Sequence, residues 1–216
     1  MAVAPLNKFL TFSVPVAPGE QVIYSTPVGV SAILLYAQVA NVGIGETYPR
    51  ITFTHRRKTN KTGNIRNTRL VKEVEVPPED SLIIVDGRYV LERTALISDS
   101  IVIKGSQAGI VSVYDCKYNN TTGVTTITTY GDHNFSLGQE VTMSGLGFTC
   151  SSNSGINTTI FPSPQVSFEV TNVGTSTIFT TTAGVISGIA HTYTGGGRVG
   201  PLQMEFTCSI LENSNV

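Results

Sequence analysis

The sequence predicts an all-β protein, and three observations predict it. Its 216 residues include 21 glycines and 10 prolines, which punctuate the chain into short segments. Those segments include Thr-, Val- and Ser-rich stretches, and branched side chains such as Val and Thr fit a pleated surface. Only 13% of residues are charged, about half the usual ~25%, and no run of Ala, Leu, Glu and Lys recurs at helical spacing. A chain this long folds as one or two domains with a real core. Its 40% hydrophobic content excludes a disordered tail.

From Phe9 to Tyr114, apolar or alternating runs separated by turn signals read as a β-sandwich of jelly-roll or immunoglobulin-like type. The expected strands are Phe9–Val14, Gln21–Tyr24, Ser31–Asn41, Arg50–Lys58, Arg69–Val76, Ser81–Val85, Tyr89–Glu92, Asp99–Lys104 and Gly109–Tyr114. Period two is clearest after Arg50, where Ile51, Phe53 and His55 share one face and Thr52 and Thr54 the other. Thr59 to Asn67 is all turn chemistry, because Gly and Asn tolerate positive φ and Asn and Thr bond to their own backbone. It reads as the tip of a hairpin. The uncharged stretch from Gln21 to Gly45 is long enough to span a bilayer, but Gln21, Ser25, Thr26, Gln38 and Asn41 interrupt it and Pro27 breaks it. Two buried strands account for it better, so no membrane insertion is expected.

From Cys116 to Gly200 the texture changes. These 85 residues contain five charged side chains, Lys117, Asp132, Glu140, Glu169 and Arg198, while Thr recurs in pairs such as Thr125–Thr126 and Thr128–Thr129. Thr covers the wet face of a strand without charge. Expected strands are Val124–Tyr130, Glu140–Ser144, Val166–Asn172 and Ser176–Thr182, followed by a turn at Thr194–Gly197. After Arg198 the first texture returns, and Leu202 to Leu211 alternates apolar and polar as one long half-buried strand would. The expectation is therefore a β-sandwich anchoring domain of residues 1–115 plus 201–216, with a second small Thr/Gly-rich β domain, residues 116–200, inserted near the C-terminus.

In the middle segment, Tyr118–Thr129, His133 through Leu137–Val141, Gly145–Cys150, Thr158–Pro162, Phe168–Val173 and Ile189–Gly196 form a pattern of strands and turns. That pattern resembles a module of tailed-phage structural proteins, in particular virion proteins of phages of cyanobacteria. The flanks resemble a second virion domain through Ile23–Val30, Val71–Pro78 and Cys208–Asn213. Together the two resemblances cover most of the chain. The resemblance implies a virion component of tail, neck, baseplate or capsid-decoration type, assembled in the bacterial host cytoplasm. It carries no catalytic residues to transfer.

The residues themselves offer little chemistry. Cys116, Cys150 and Cys208 are an odd number in a chain too large to need staples, so reduced buried thiols are expected. Residues preceding Gln21 carry one lysine and are broken by Pro5, Pro15 and Pro18, unlike a signal peptide. Asp132–His133 reads as a turn, His55 as a packed strand residue bonded to backbone, and His191 as a cap on the Gly195–Gly197 turn. Cys116, Cys150, His133 and His191 make a zinc set only on paper, since no two have knuckle spacing. There is no nucleophile elbow, phosphate loop or metalloprotease motif. Neither a cofactor nor an enzymatic activity is expected.

Charge is the one feature with leverage. Eight of the 14 basic residues, Arg50, Arg56, Arg57, Lys58, Lys61, Arg66, Arg69 and Lys72, lie in one stretch without an acid, leaving six basic residues against 15 acidic elsewhere. The bland reading is a solvated hairpin. The functional reading is a protein-interaction patch for the acidic surface of another copy or another virion protein. Nucleic acid ranks last, because no aromatic interleaves the cations between Arg56 and Lys72. A module binding host-surface glycan is the alternative from a different class, and would need exposed aromatics in a chain without Trp.

Overall fold

The computed structural model describes residues 7–152, 155–160, 162–163, 165–185 and 189–214, and these contain strands and no helix. In chain order the first seven strands are β1 (Asn7–Pro15), β2 (Gly19–Ser25), β3 (Val30–Asn41), β4 (Arg50–Thr59), β5 (Ile65–Glu75), β6 (Ser81–Glu92) and β7 (Ile97–Ser106). The next nine are β8 (Val111–Tyr118), β9 (Val124–Thr129), β10 (Glu140–Ser144), β11 (Gly147–Ser152), β12 (Gly155–Ile160), β13 (Ser167–Thr175), β14 (Ile178–Thr182), β15 (Ala190–Gly195) and β16 (Arg198–Pro201). The last is β17 (Met204–Ser214). The chain divides into two compact units, one built from the stretch up to Val16, Glu20–Ser106 and Gln203 onward, the other from Ala17–Gly19 and Gln107–Leu202.

The first unit is two four-stranded sheets, ordered β1-β17-β3-β6 and β2-β7-β4-β5. Alternation turns Leu34 and Val39 of β3 and Phe206, Cys208 and Ile210 of β17 to the inside of one sheet. Ile51 and Phe53 of β4 and Ile101 and Ile103 of β7 do the same in the other, and all are fully buried in one core. Phe53 stacks on Phe206 at 5.7 Å between ring centroids, which ties the two sheets together. The Tyr24 hydroxyl of β2 donates to Glu212 Oε1 of β17 at 2.8 Å. The alternation read from Leu202 to Leu211 is realised in β17, which pairs with β1 from Asn7↔Asn213 to Pro15↔Glu205 and with β3 on its other side.

Two local readings change. The turn expected over Thr59 to Asn67 is confined to residues 60–64, and β5 already begins at Ile65. Nearly every residue of β5 is exposed, so its sequence carries no alternation to read. The strands expected at Ser81–Val85 and Tyr89–Glu92 are one strand, β6, which continues through Gly87.

The second unit contains a closed six-stranded barrel, β8-β16-β10-β13-β14-β9, completed by pairing of β9 back to β8. Closure removes the sheet edges that invite mispairing. The upper part of β8 also pairs with β15, which carries β11 and β12 beyond the barrel. Ile127, Val141, Met143, Phe148, Val170, Phe179 and Val199 fill the core and are fully buried. Strands β11, β12, β15 and β16 lie outside the expected set. The turn placed at Thr194–Gly197 shrinks to Gly196–Gly197, which with Gly195 at the end of β15 have positive φ (125°, 79° and 98° from Gly195 to Gly197). Gly197 has a second constraint: a Cβ there would sit 2.7 Å from the Leu146 side chain.

All three cysteines are free and buried. Burial pushes the Cys116 and Cys208 thiols up to about 12 each, so neither forms thiolate near neutrality. Native protein is therefore expected to resist iodoacetamide over hours and to take up three labels in denaturant, as read by intact mass. Rapid labelling of native Cys208 would contradict its place between β1 and β3.

Candidate functional site

The basic stretch forms part of the outward face of the β2-β7-β4-β5 sheet. Because Ile51 and Phe53 point inward, β4 presents Thr52, Thr54, Arg56 and Lys58 outward. Across one ladder they face Lys104, Val102, Ser100 and Ser98 of β7. Across the other, Thr54 faces Arg69, Arg56 faces Asn67 and Lys58 faces Ile65 of β5. Two bulges interrupt that second ladder. Leu70 is an extra residue between the pairs Thr54↔Arg69 and Phe53↔Val71. The single residue Thr52 then stands opposite both Lys72 and Glu73. A regular strand would put Arg69 and Lys72 on opposite faces; the bulge at Leu70 puts them on the same one.

Glu73 absorbs the second bulge with φ of +50°, and its N–H donates to Thr52 Oγ1 at 3.0 Å. Thr52, Thr54 and Val102 form the floor of a hollow of about 130 Å³ walled by Glu20, Asn67, Arg69, Lys72, Glu73 and Lys104. The floor is buried although it faces outward, with Val102 only 2% exposed, because the long side chains around it cover its flanks. A second hollow of about 200 Å³ lies towards the hairpin, lined by residues that include Arg56, Lys58, Arg93, Ser98 and Ser100.

The eight expected patch residues divide into three groups. Arg50 pairs with Glu75 at 3.4 Å, and Arg56 pairs with Glu20 at 2.6 Å while donating to Asn67. Arg57 continues the inward series of Ile51, Phe53 and His55. Its guanidinium donates twice to Asp99, at 2.7 Å each, and approaches Glu92 at 3.7 Å. The Asp99 carboxylate is fully buried and also accepts the Glu92 N–H at 2.9 Å. His55 Nε2 lies 3.2 Å from it, and His55 Nδ1 meets the Tyr89 hydroxyl at 2.7 Å. Burial pushes the Asp99 carboxyl up, but Arg57, the Glu92 amide and His55 outweigh it and hold the group below the usual carboxylate range. Arg57 is thus a fold-holding residue. The third group, Lys58, Lys61, Arg66, Arg69 and Lys72, is exposed and makes no ion pair among the described residues. Lys104, which belongs with them, escaped the sequence reading because β7 brings it from 32 positions beyond Lys72.

The remaining candidates are structural. Asp132 is exposed while His133 is buried; His133 Nδ1 accepts the Phe135 N–H at 2.9 Å and Nε2 donates to the Thr175 carbonyl at 3.1 Å. His55 bonds to a tyrosine hydroxyl rather than to backbone. His191, in β15, lies against Cys150. Burial raises that thiol and lowers that imidazole, so both stay neutral. Among the described residues no group of three or more His, Cys, Asp or Glu is placed to hold a metal.

The sequence matches no family model and no curated protein. Several solved structures are weakly similar. One is from T=1 particles derived from infectious bursal virus, at 6% identity and a TM-score of 0.30, covering 97% of this chain; this chain spans 40% of that one. Another is the stem and receptor-binding domain of spike protein P1 from bacteriophage PM2, at 9% identity and a TM-score of 0.19, with 95% and 96% of the two chains covered. A third is the glycosylasparaginase PNGase F from Flavobacterium meningosepticum, at 11% identity and a TM-score of 0.17, covering 98% and 96%. Similarity at this level, shared between virus proteins and an enzyme, carries no argument about fold or function.

Proposed function

We propose that the chain is a non-enzymatic structural component of a virus particle, assembling through protein–protein contacts in the tail, neck or baseplate of a tailed phage. A capsid decoration protein is the nearest variant. Its first unit is read as a jelly roll: in chain order within that unit, the sheets run first-eighth-third-sixth and second-seventh-fourth-fifth, the arrangement two interlocked Greek keys produce. Jelly rolls serve viral capsids as well as lectins and cupins, so this support is an analogy of fold. The observation that carries the assembly reading is the set of cations at the β4–β5 hairpin, Lys58, Lys61 and Arg66, which make no ion pair among the described residues. Such a cluster raises encounter rates with acidic surface, and repeated copies turn weak contacts into avidity.

Reversing Lys58, Lys61 and Arg66 to Glu should abolish incorporation into particles while leaving the melting temperature within a few degrees, since exposed charges that make no ion pair among the described residues contribute little to folding. Arg57 is left intact in this variant because of its bond to Asp99. Wild-type contacts should also weaken between about 50 mM and about 500 mM salt, where the Debye length falls several-fold. Normal incorporation of the triple variant would return the hairpin to a solvated loop.

One observation favours a second reading, glycan binding by the barrel. Tyr114 and Tyr130 are 61% and 73% exposed and stand edge to face at 5.3 Å, two rings left in water beside the threonines of β9. In that reading Tyr114→Ala removes cell-surface adsorption without affecting assembly. Adsorption unchanged by this variant would exclude it.

A further inference from the structure

We propose that the hollow floored by Thr52 and Thr54 is a binding site for a tetrahedral oxyanion bearing two negative charges, the phosphate group of a monoester or of free phosphate. It is distinct from the hairpin tip and does not rest on the assembly reading. The charge balance selects the ligand. Arg69, Lys72 and Lys104 surround the hollow, and none of them makes an ion pair among the described residues. Of the two acids on the rim, Glu20 is consumed by Arg56 at 2.6 Å, leaving only Glu73 against three cations. The remaining imbalance of two positive charges matches a divalent oxyanion, and a single carboxylate would fill only half of it.

The backbone is shaped to produce this arrangement. The bulge at Leu70 brings Arg69 and Lys72 to one face, the paired ladder places Lys104 on the other side of Thr52, and the second bulge holds Glu73 at a φ of +50°. Strained backbone and bulges of this kind gather at binding sites, where they re-aim side chains. Arg69 offers a planar fork of donors suited to two phosphate oxygens, and the lysines add point charges. A volume of about 130 Å³ takes one such group with a few waters.

The test is an amide-resolved NMR titration of the full chain with inorganic phosphate and with glucose 6-phosphate at pH 7.5. Saturable shifts at Thr52 and Thr54 are expected. Lys104→Gln and Arg69→Gln should each weaken binding at least fivefold, while Lys61→Gln, the same charge change at the hairpin tip, should leave it within twofold. Lowering the pH to about 5.5 should weaken the monoester, whose second pKa is near 6, and leave inorganic sulfate unaffected. Binding of both phosphates would define a site that accepts esters; binding of inorganic phosphate alone would define one for the free anion. Shifts that grow linearly without saturation, or an equal loss in Lys61→Gln, would overturn the proposal in favour of diffuse attraction. Tighter binding of a Glu-Glu peptide than of either phosphate would overturn it in favour of a protein side chain. If Arg69→Gln fails to fold, Lys104→Gln, on the other side of Thr52, decides alone.

Discussion

Arg57→Ala is expected to destabilise the first unit by about 3–5 kcal/mol, because it strips the fully buried Asp99 carboxylate of its two shortest hydrogen bonds and leaves the charge with the Glu92 amide and His55 alone. For a unit of this size that is a fall in melting temperature of roughly 15 °C or more. Arg50→Ala, which breaks an exposed pair with Glu75, should cost less than about 1 kcal/mol. The same carboxylate sets an acid limit. Its pKa in the folded chain lies below the ordinary 3.8, so its contribution is complete above about pH 4 and is lost as the pH falls through the folded value. Thermal melts from pH 6 to pH 2 should show wild type losing stability in that lower window and Asp99→Asn losing less of it. A parallel loss in both proteins would place the acid sensitivity elsewhere.

Phe206→Ala should cost a further large amount, about 3–5 kcal/mol, since it empties a fully buried site and removes the stacking partner of Phe53. Phe179→Ala in the barrel, equally buried, should cost a similar amount. The two units have separate buried clusters, so calorimetry should show two transitions, the first variant lowering one and the second the other. A single transition moved equally by both substitutions would show that the units do not fold independently.

Much of this architecture was legible in the sequence, and particular residues show where legibility stopped. Strands whose apolar and polar residues alternate, such as β4 and β17, announced themselves by that period. β5 did not, because both its faces are wet, and its two bulges leave no periodic trace. The inward turn of Arg57 was within reach: the series Ile51, Phe53, His55 needed only one more step, yet charge suggested surface. Its partner Asp99, like Lys104 in the hollow, comes from β7, a contact that only strand pairing reveals. Closure of the barrel depends on β9 returning to β8, and nothing in Val124–Thr129 distinguishes a strand with one neighbour from a strand with two.

The measurement that bears most directly on the virion assignment is a density map of intact phage particles containing this protein, combined with peptide mass spectrometry of the same preparation. The assignment predicts the chain in the particle at a copy number fixed by particle symmetry, with Lys58, Lys61 and Arg66 against acidic surface of a neighbouring chain. A protein made during infection but absent from purified particles would contradict it.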